Sequence, residues 1–297
     1  MSPPQTTVGK RPHVKAPTSR PFAERALEAT NEYGPLVFGL DPFGDLLVDW
    51  GLGDAADGLD RFVDIVVEAC VGTVGVVKPQ SAFYERHGWR GVKSLARLVE
   101  SCRESGVLVL LDAKRGDVGS TNRAYAEAYL GAAAPIQVDA ITITPYLGFE
   151  SVRPVLDLAV ASNASVFVVT RSTNPEGRAI QGSVHPNGNT TEQQIVADIA
   201  AENRRVVPGA IGPVGSVFGP THGPPAFDLR IMNGLFLAPG VGAQGATPQE
   251  VASCFASCPE RVLPSASRSL LQNGPDPSRL RAGALALATE LRDALHL

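Results

Sequence analysis

Apolar residues along this 297-residue chain fall into two alternating patterns. Short runs rich in β-branched residues lie at 35–41, 73–78, 107–112, 138–143, 164–170, 213–218, 234–238 and 260–265, and they read as eight strands. The segments 59–70, 91–105, 119–131, 149–161, 191–203, 226–232, 248–256 and 278–296 follow them in turn. Most carry apolar residues three and four apart, the spacing of a helix with one buried face. Such alternation predicts a parallel sheet with crossover helices. The strand runs are nearly continuous in their apolar character, which implies burial on both faces. Eight βα units in one chain then favour a closed, single (β/α)8 TIM barrel of the α/β class over a doubly wound sheet. A further helix is expected over 22–33, before the first strand, covering the closed end of the barrel.

No linker divides the set, so residues 22–297 are read as one barrel domain. Residues 1–21, rich in Pro, Thr and basic side chains without apolar periodicity, are read as a flexible extension. The segment 174–191 is long, polar and rich in Gly, Asn and Pro. It is either a tolerated surface insertion or a lid, and its place after the fifth strand, where barrel loops surround a site, favours the lid.

Composition narrows the function classes. With 44% hydrophobic and 19% charged residues the chain can bury a large core, and its net charge of −4 is small. Lys and Arg are scattered rather than gathered into a stripe, so no nucleic acid is expected as a partner. No apolar run reaches the roughly 20 residues needed to cross a bilayer. No membrane association is expected, and the cytoplasm is the expected compartment. Cys70, Cys102, Cys254 and Cys258 lack zinc spacing and read as free thiols. His13, His87, His185, His222 and His296 are dispersed, so no metal site is expected.

Catalytic groups of a (β/α)8 barrel sit at the carboxyl ends of its strands. Here Asp41 ends the first run and Lys78 the second, while the third closes with Asp112-Ala113-Lys114-Arg115-Gly116-Asp117. Asp112 and Lys114, two apart, fall on one face of an extended strand. Burying several such charges is costly unless they pair, so Lys78, Asp112, Lys114 and Asp117 are expected to form one mutually neutralising network. A structural ion pair is the competing explanation, but two lysines at separate strand ends favour chemistry. Gly240, Gly242 and Gly245 after the seventh strand, with Arg268 after the eighth, suit a phosphate, which barrels often bind with these loops.

From about residue 22 to the end, the chain resembles the orotidine 5′-monophosphate decarboxylase family. The matching runs are Gly39-Leu40-Asp41-Pro42, Val77-Lys78-Pro79, the stretch from Asp112 to Thr121, and Thr170-Arg171-Ser172-Thr173-Asn174-Pro175. They continue with the stretch from Ala238 to Gly245 and with Ser265-Ala266-Ser267-Arg268. Their form resembles the branch that includes mycobacterial enzymes. The resemblance implies a cofactor-independent enzyme of pyrimidine biosynthesis with Lys114 as proton donor to C6 and Lys78, Asp112 and Asp117 completing the charged network. It implies that Asp41 holds the ribose, Ser172 the pyrimidine amide edge and Arg268 the phosphate, with Gly242 nearby and Gln244 bridging lid and phosphate. It also implies a homodimer in which Asp117 and Thr121 reach into the partner's site.

Loss of CO2 from C6 of the pyrimidine leaves a carbanion that the ring cannot delocalise as an enolate would, so a fixed cation must stabilise it. Two other readings are weighed. A related barrel decarboxylase of keto-sugar phosphates shares the DxKxxD run but is expected to recruit Mg2+, with an acidic residue where Lys78 stands. A silent nucleotide-binding regulator has no need to bury this network.

Overall fold

The computed structural model describes residues 20–242 and 245–297. Eight parallel strands form a closed barrel in chain order. They are β1 (Val37–Gly39), β2 (Val76–Lys78), β3 (Leu108–Arg115), β4 (Ala140–Ile143), β5 (Ser165–Arg171), β6 (Val214–Phe218), β7 (Phe236–Pro239) and β8 (Val262–Ala266). Closure is explicit in the register, since Val37 pairs with Val76 on one side and Ser265 on the other. The helices are α1 (Phe22–Tyr33), α2 (Leu46–Asp49), α3 (Ala56–Cys70), α4 (Ser81–Glu85), α5 (Gly88–Glu104), α6 (Gly119–Tyr129), α7 (Arg153–Ala161), α8 (Arg178–Gln181), α9 (Thr191–Val206), α10 (Pro248–Cys254), α11 (Arg268–Leu271) and α12 (Pro277–Leu295).

Both strand faces are buried, as their apolar runs require. Phe38, Val77, Val109, Leu111 and Ile141 join the helices in the main core. Val37, Val76, Leu108, Leu110, Phe167 and Leu237 form a second cluster with Phe22, Ala23 and Ala26 of α1. The expected covering helix is therefore a plug. Phe22 is fully buried with its ring edge-on to Phe167 at 6.1 Å, a burial that contributes roughly 2–3 kcal/mol. Arg25 of the same helix pairs with Asp139 at 2.7 Å. That carboxylate also accepts the Val109 N–H.

The sixth unit departs from the expected pattern. Between β6 and β7 there are only 3-10 turns, at Pro220–His222 and Leu229–Met232, and the helix expected over 226–232 is the second of them. Pro220, Pro224 and Pro225 supply no N–H, so a longer helix would lose its hydrogen bonds there. Asn203 of α9 takes over its stapling role. Its side-chain amide donates to the carbonyls of Val214 and Met232, and its oxygen accepts the Val214 N–H at 3.0 Å.

Candidate active site

A cavity of about 600 Å³ opens at the carboxyl ends of the strands. Its lining includes apolar Val169, Val217 and Leu237 from within the barrel, together with the charged strand ends. Asp112 is the hub. Its Oδ2 accepts from Lys78 Nζ and Gln80 Nε2, both at 3.2 Å. Its Oδ1 accepts from Lys114 Nζ at 2.7 Å and Thr142 Oγ1 at 2.8 Å. Asp41 lies 3.8 Å from Lys78 and is fixed by the Gln80 N–H at 3.0 Å. Two carboxylates and two ammonium groups thus neutralise one another, which makes their burial tolerable.

Burial pushes the Asp112 carboxyl up. The charges of Lys78 and Lys114 and the hydrogen bonds from Lys114 and Thr142 outweigh it, holding the group well below the usual carboxylate range. Burial pushes the Lys78 ammonium down, and Asp41 and Asp112 reverse this and leave it raised. Exposure separates the members of the cluster. The side chains of Lys78, Asp112 and Asp41 are 7%, 10% and 13% exposed, whereas that of Lys114 is 45% exposed. Of the two lysines that line the cavity, Lys114 is the one most open to a ligand.

The backbone explains how a strand places Lys114 there. Register between β3 and β4 shifts between Leu111 and Arg115, which pair with Ile141 and Ile143, so the longer stretch of β3 bulges. Lys114 sits in the bulge at φ 46°, a left-handed conformation that costs a non-glycine residue about 1–2 kcal/mol. Bulges beside active sites re-aim side chains. This one brings the Lys114 ammonium onto the carboxylate two residues earlier.

At the rim, Arg268 lines the cavity with its guanidinium 5.3 Å from the centroid of the Phe43 ring. Pro239, Gly240 and Val241 form the wall beside it. Gly242 is outside the lining and gives its N–H to Ala246 O at 2.8 Å. At φ 79° its lack of a Cβ lets the turn pack on Ser269, whose Oγ a Cβ would meet at 2.7 Å. Ser172 lines the cavity, but its N–H and Oγ both engage the Gln181 carboxamide, at 3.0 and 2.8 Å. Thr173, next in the chain, also lines it. The segment 174–191 is largely built of turns: a 3-10 turn at Pro175–Gly177, then α8, then a bridge between Val184 and Thr190.

The structure thus brings together Asp41, Lys78, Asp112, Lys114, Ser172 and Arg268. Asp117 is not in its own chain's network, and Asp41 supplies the second carboxylate instead. Asp117 Oδ1 accepts the Val118 N–H at 2.7 Å, and neither it nor Thr121 lines the cavity of its own chain. Gln244 lies outside the described residues. Gln80 and Thr142 escaped the sequence reading. Gln80 could have been found, since it follows Lys78 by two and so shares its strand face. Thr142 lies inside an apolar run and gave no signal. Among the described residues no group of three or more His, Cys, Asp or Glu is placed to hold a metal ion.

Residues 34–280 match the model of the orotidine 5′-phosphate decarboxylase / HUMPS family. The orotidine 5′-phosphate decarboxylase of Streptomyces coelicolor is 46% identical, over 93% of this chain and 98% of the relative. That of Corynebacterium efficiens is 44% identical, over 91% and 96%. A crystal structure from Streptomyces avermitilis superposes with a TM-score of 0.89 at 45% identity, covering 94% of this chain and 97% of its own. The UMP synthase of Leishmania donovani does so with a TM-score of 0.73 at 26% identity, and the match takes up 56% of that longer chain. A family match across most of the barrel, and relatives alike along nearly their whole length, lead to one conclusion: the chain belongs to the orotidine 5′-phosphate decarboxylase / HUMPS family.

Proposed function

We propose that the protein is an orotidine 5′-monophosphate decarboxylase, a carboxy-lyase that converts its substrate to uridine 5′-monophosphate and CO2 in pyrimidine biosynthesis. The observation that carries this reading is the Asp41, Lys78, Asp112 and Lys114 cluster, which lines the cavity with Lys114 as its most exposed member. As the C6–carboxylate bond breaks, its electron pair stays on C6. The Lys114 ammonium stabilises that pair and then gives it a proton, acting as fixed charge and general acid in turn. Asp112 lies beside the departing carboxylate, where repulsion is relieved as neutral CO2 forms. Asp41 holds the ribose and Arg268 the phosphate, whose remote binding energy is available to order the site. Ser172 is assigned to the pyrimidine edge, and Gly242 acts by shaping the turn beside Arg268. Gln244 keeps its assignment as the link between lid and phosphate on the resemblance alone.

The reaction needs no metal or other cofactor on this reading, because two ammonium groups already neutralise both carboxylates a divalent cation would seek. That argument also sets aside the keto-sugar phosphate alternative. The working unit is a homodimer in which the partner's Asp117 and Thr121 complete each site. Support comes from their position outside their own cavity and from exposed apolar Val118, Tyr146 and Leu147 on the loops after β3 and β4. No described helix is long and apolar enough to cross a membrane, and a cytoplasmic location is part of the proposal. The deciding experiment follows the absorbance of orotidine monophosphate with protein in EDTA, beside Lys114→Ala. Conversion by the wild type alone supports the assignment. No conversion by either protein removes it, and equal conversion by both removes Lys114 as proton donor.

A further inference from the structure

The bulge that aims Lys114 has a structural cost in hydrogen bonding. Where β3 departs from the ladder, the Lys114 N–H has no carbonyl of β4 to donate to. It donates instead to Thr142 Oγ1 at 3.0 Å. The hydroxyl, having accepted that bond, gives its own proton to Asp112 Oδ1 at 2.8 Å. The same carboxylate oxygen takes the Lys114 ammonium at 2.7 Å. A ring of hydrogen bonds therefore leaves the Lys114 main chain, passes through Thr142 and Asp112, and returns to the Lys114 side chain. Thr142 is fully buried and does not line the cavity, so it does not meet a ligand.

We infer that Thr142 is a positioning residue of this site, its one hydroxyl holding both the left-handed backbone of Lys114 and the carboxylate that orients the Lys114 ammonium. The inference rests on the reading of Lys114 and Asp112 as the groups that act on the substrate. The hydroxyl is suited to the task because it accepts and donates at once. Valine has nearly the same shape and can do neither, leaving the Lys114 N–H without this partner. Serine keeps the hydroxyl. The neighbouring charged groups, Lys78 from β2 and Asp41 after β1, are left unsubstituted in each variant.

The test compares Thr142→Val and Thr142→Ser with wild type for kcat, KM, uridine monophosphate affinity and thermal midpoint. Loss of a group that sets transition-state geometry lowers kcat without weakening ground-state binding. Thr142→Val should lose about tenfold or more in kcat, while KM and product affinity stay within about threefold and Thr142→Ser recovers most of the loss. If the valine variant does not fold, Thr142→Ala is read in its place. Two results overturn the inference: kcat within about twofold of wild type in the variant lacking the hydroxyl, or kcat and product affinity falling together without rescue by serine. If wild type itself fails to turn over orotidine monophosphate, the proposed reaction fails instead, and the two failures are told apart.

Discussion

At the scale of single residues, the site is a balance of opposed charges held where water would normally be needed. The signs of the shifts set its pH window. Asp112 is depressed in the folded protein, so its contribution is complete above the unfolded value of about 3.9 and is lost as pH falls through the folded one. Lys78 is raised, so its contribution is complete below about 10.4 and is lost as pH rises through the folded value. Across neutral pH Asp112 and Lys78 are both charged and their stabilisation is flat. Lys78→Met removes the charge that does most to hold Asp112 down and leaves Asp112 and Asp41 facing each other. It should cost roughly 3 kcal/mol and lessen the further stability that Asp112 gives up as pH falls below about 4, as read from thermal midpoints between about pH 2 and 7. An unchanged acid limb would show that Lys114 alone keeps Asp112 ionised. Much of the cluster was legible because Asp41, Lys78, Asp112 and Lys114 stand at or near the ends of apolar runs. Thr142 was not, because a polar residue inside such a run carries no mark of the bulge opposite. The same bulge and the left-handed turn at Lys114 explain why strand periodicity gave the right face but not the 2.7 Å contact.

At the scale of elements, regular periodicity was readable and its interruption was not. Seven of the eight expected helical segments overlap α-helices, and the sixth does not, because prolines and a buried amide displaced it. Asn203 is fully buried, and Gly212 and Gly234 pack against it so closely that a Cβ at either would meet its side chain within 3 Å. Asn203→Leu strands the Val214 N–H and several carbonyls, each lost partner costing about 1–3 kcal/mol. The expected outcome in a urea titration is a loss of roughly 3 kcal/mol or more with kcat at low temperature near wild type, since the residue lies far from the charged cluster. A variant of normal stability would mean that this stretch does not depend on the staple.

For the whole molecule, the barrel was legible from the count of βα units and their continuous strands, and α1 from its place before the first strand. The chain's own charges did not reveal which of them serve the same site. Asp117 is five residues beyond Asp112 in a conspicuous motif, yet it does not line the cavity that Asp112 lines. If sites are shared across a dimer, Lys114→Ala and Asp117→Ala proteins, each inactive alone, should regain up to about a quarter of wild-type activity when their subunits are exchanged, because half of random pairs carry one intact site. Mixing that restores nothing would leave each chain with a self-contained site. Tyr146→Asp, placed on the exposed apolar patch, should shift the species seen in sedimentation towards the monomer and lower activity with it.

Plugging of the barrel by α1 bears on traffic. With Phe22 seated against Phe167 at the base, the chamber is a cul-de-sac, and substrate and both products share one doorway. On the proposed reaction, carbon dioxide forms inside the chamber beside Asp112 and Lys114, while the nucleotide is moored by its phosphate at Arg268 on the rim. Carbon dioxide, small and apolar, can slip past the moored nucleotide. On that reading the architecture sets the order of departure: gas first, nucleotide last, and the next substrate only after the doorway clears.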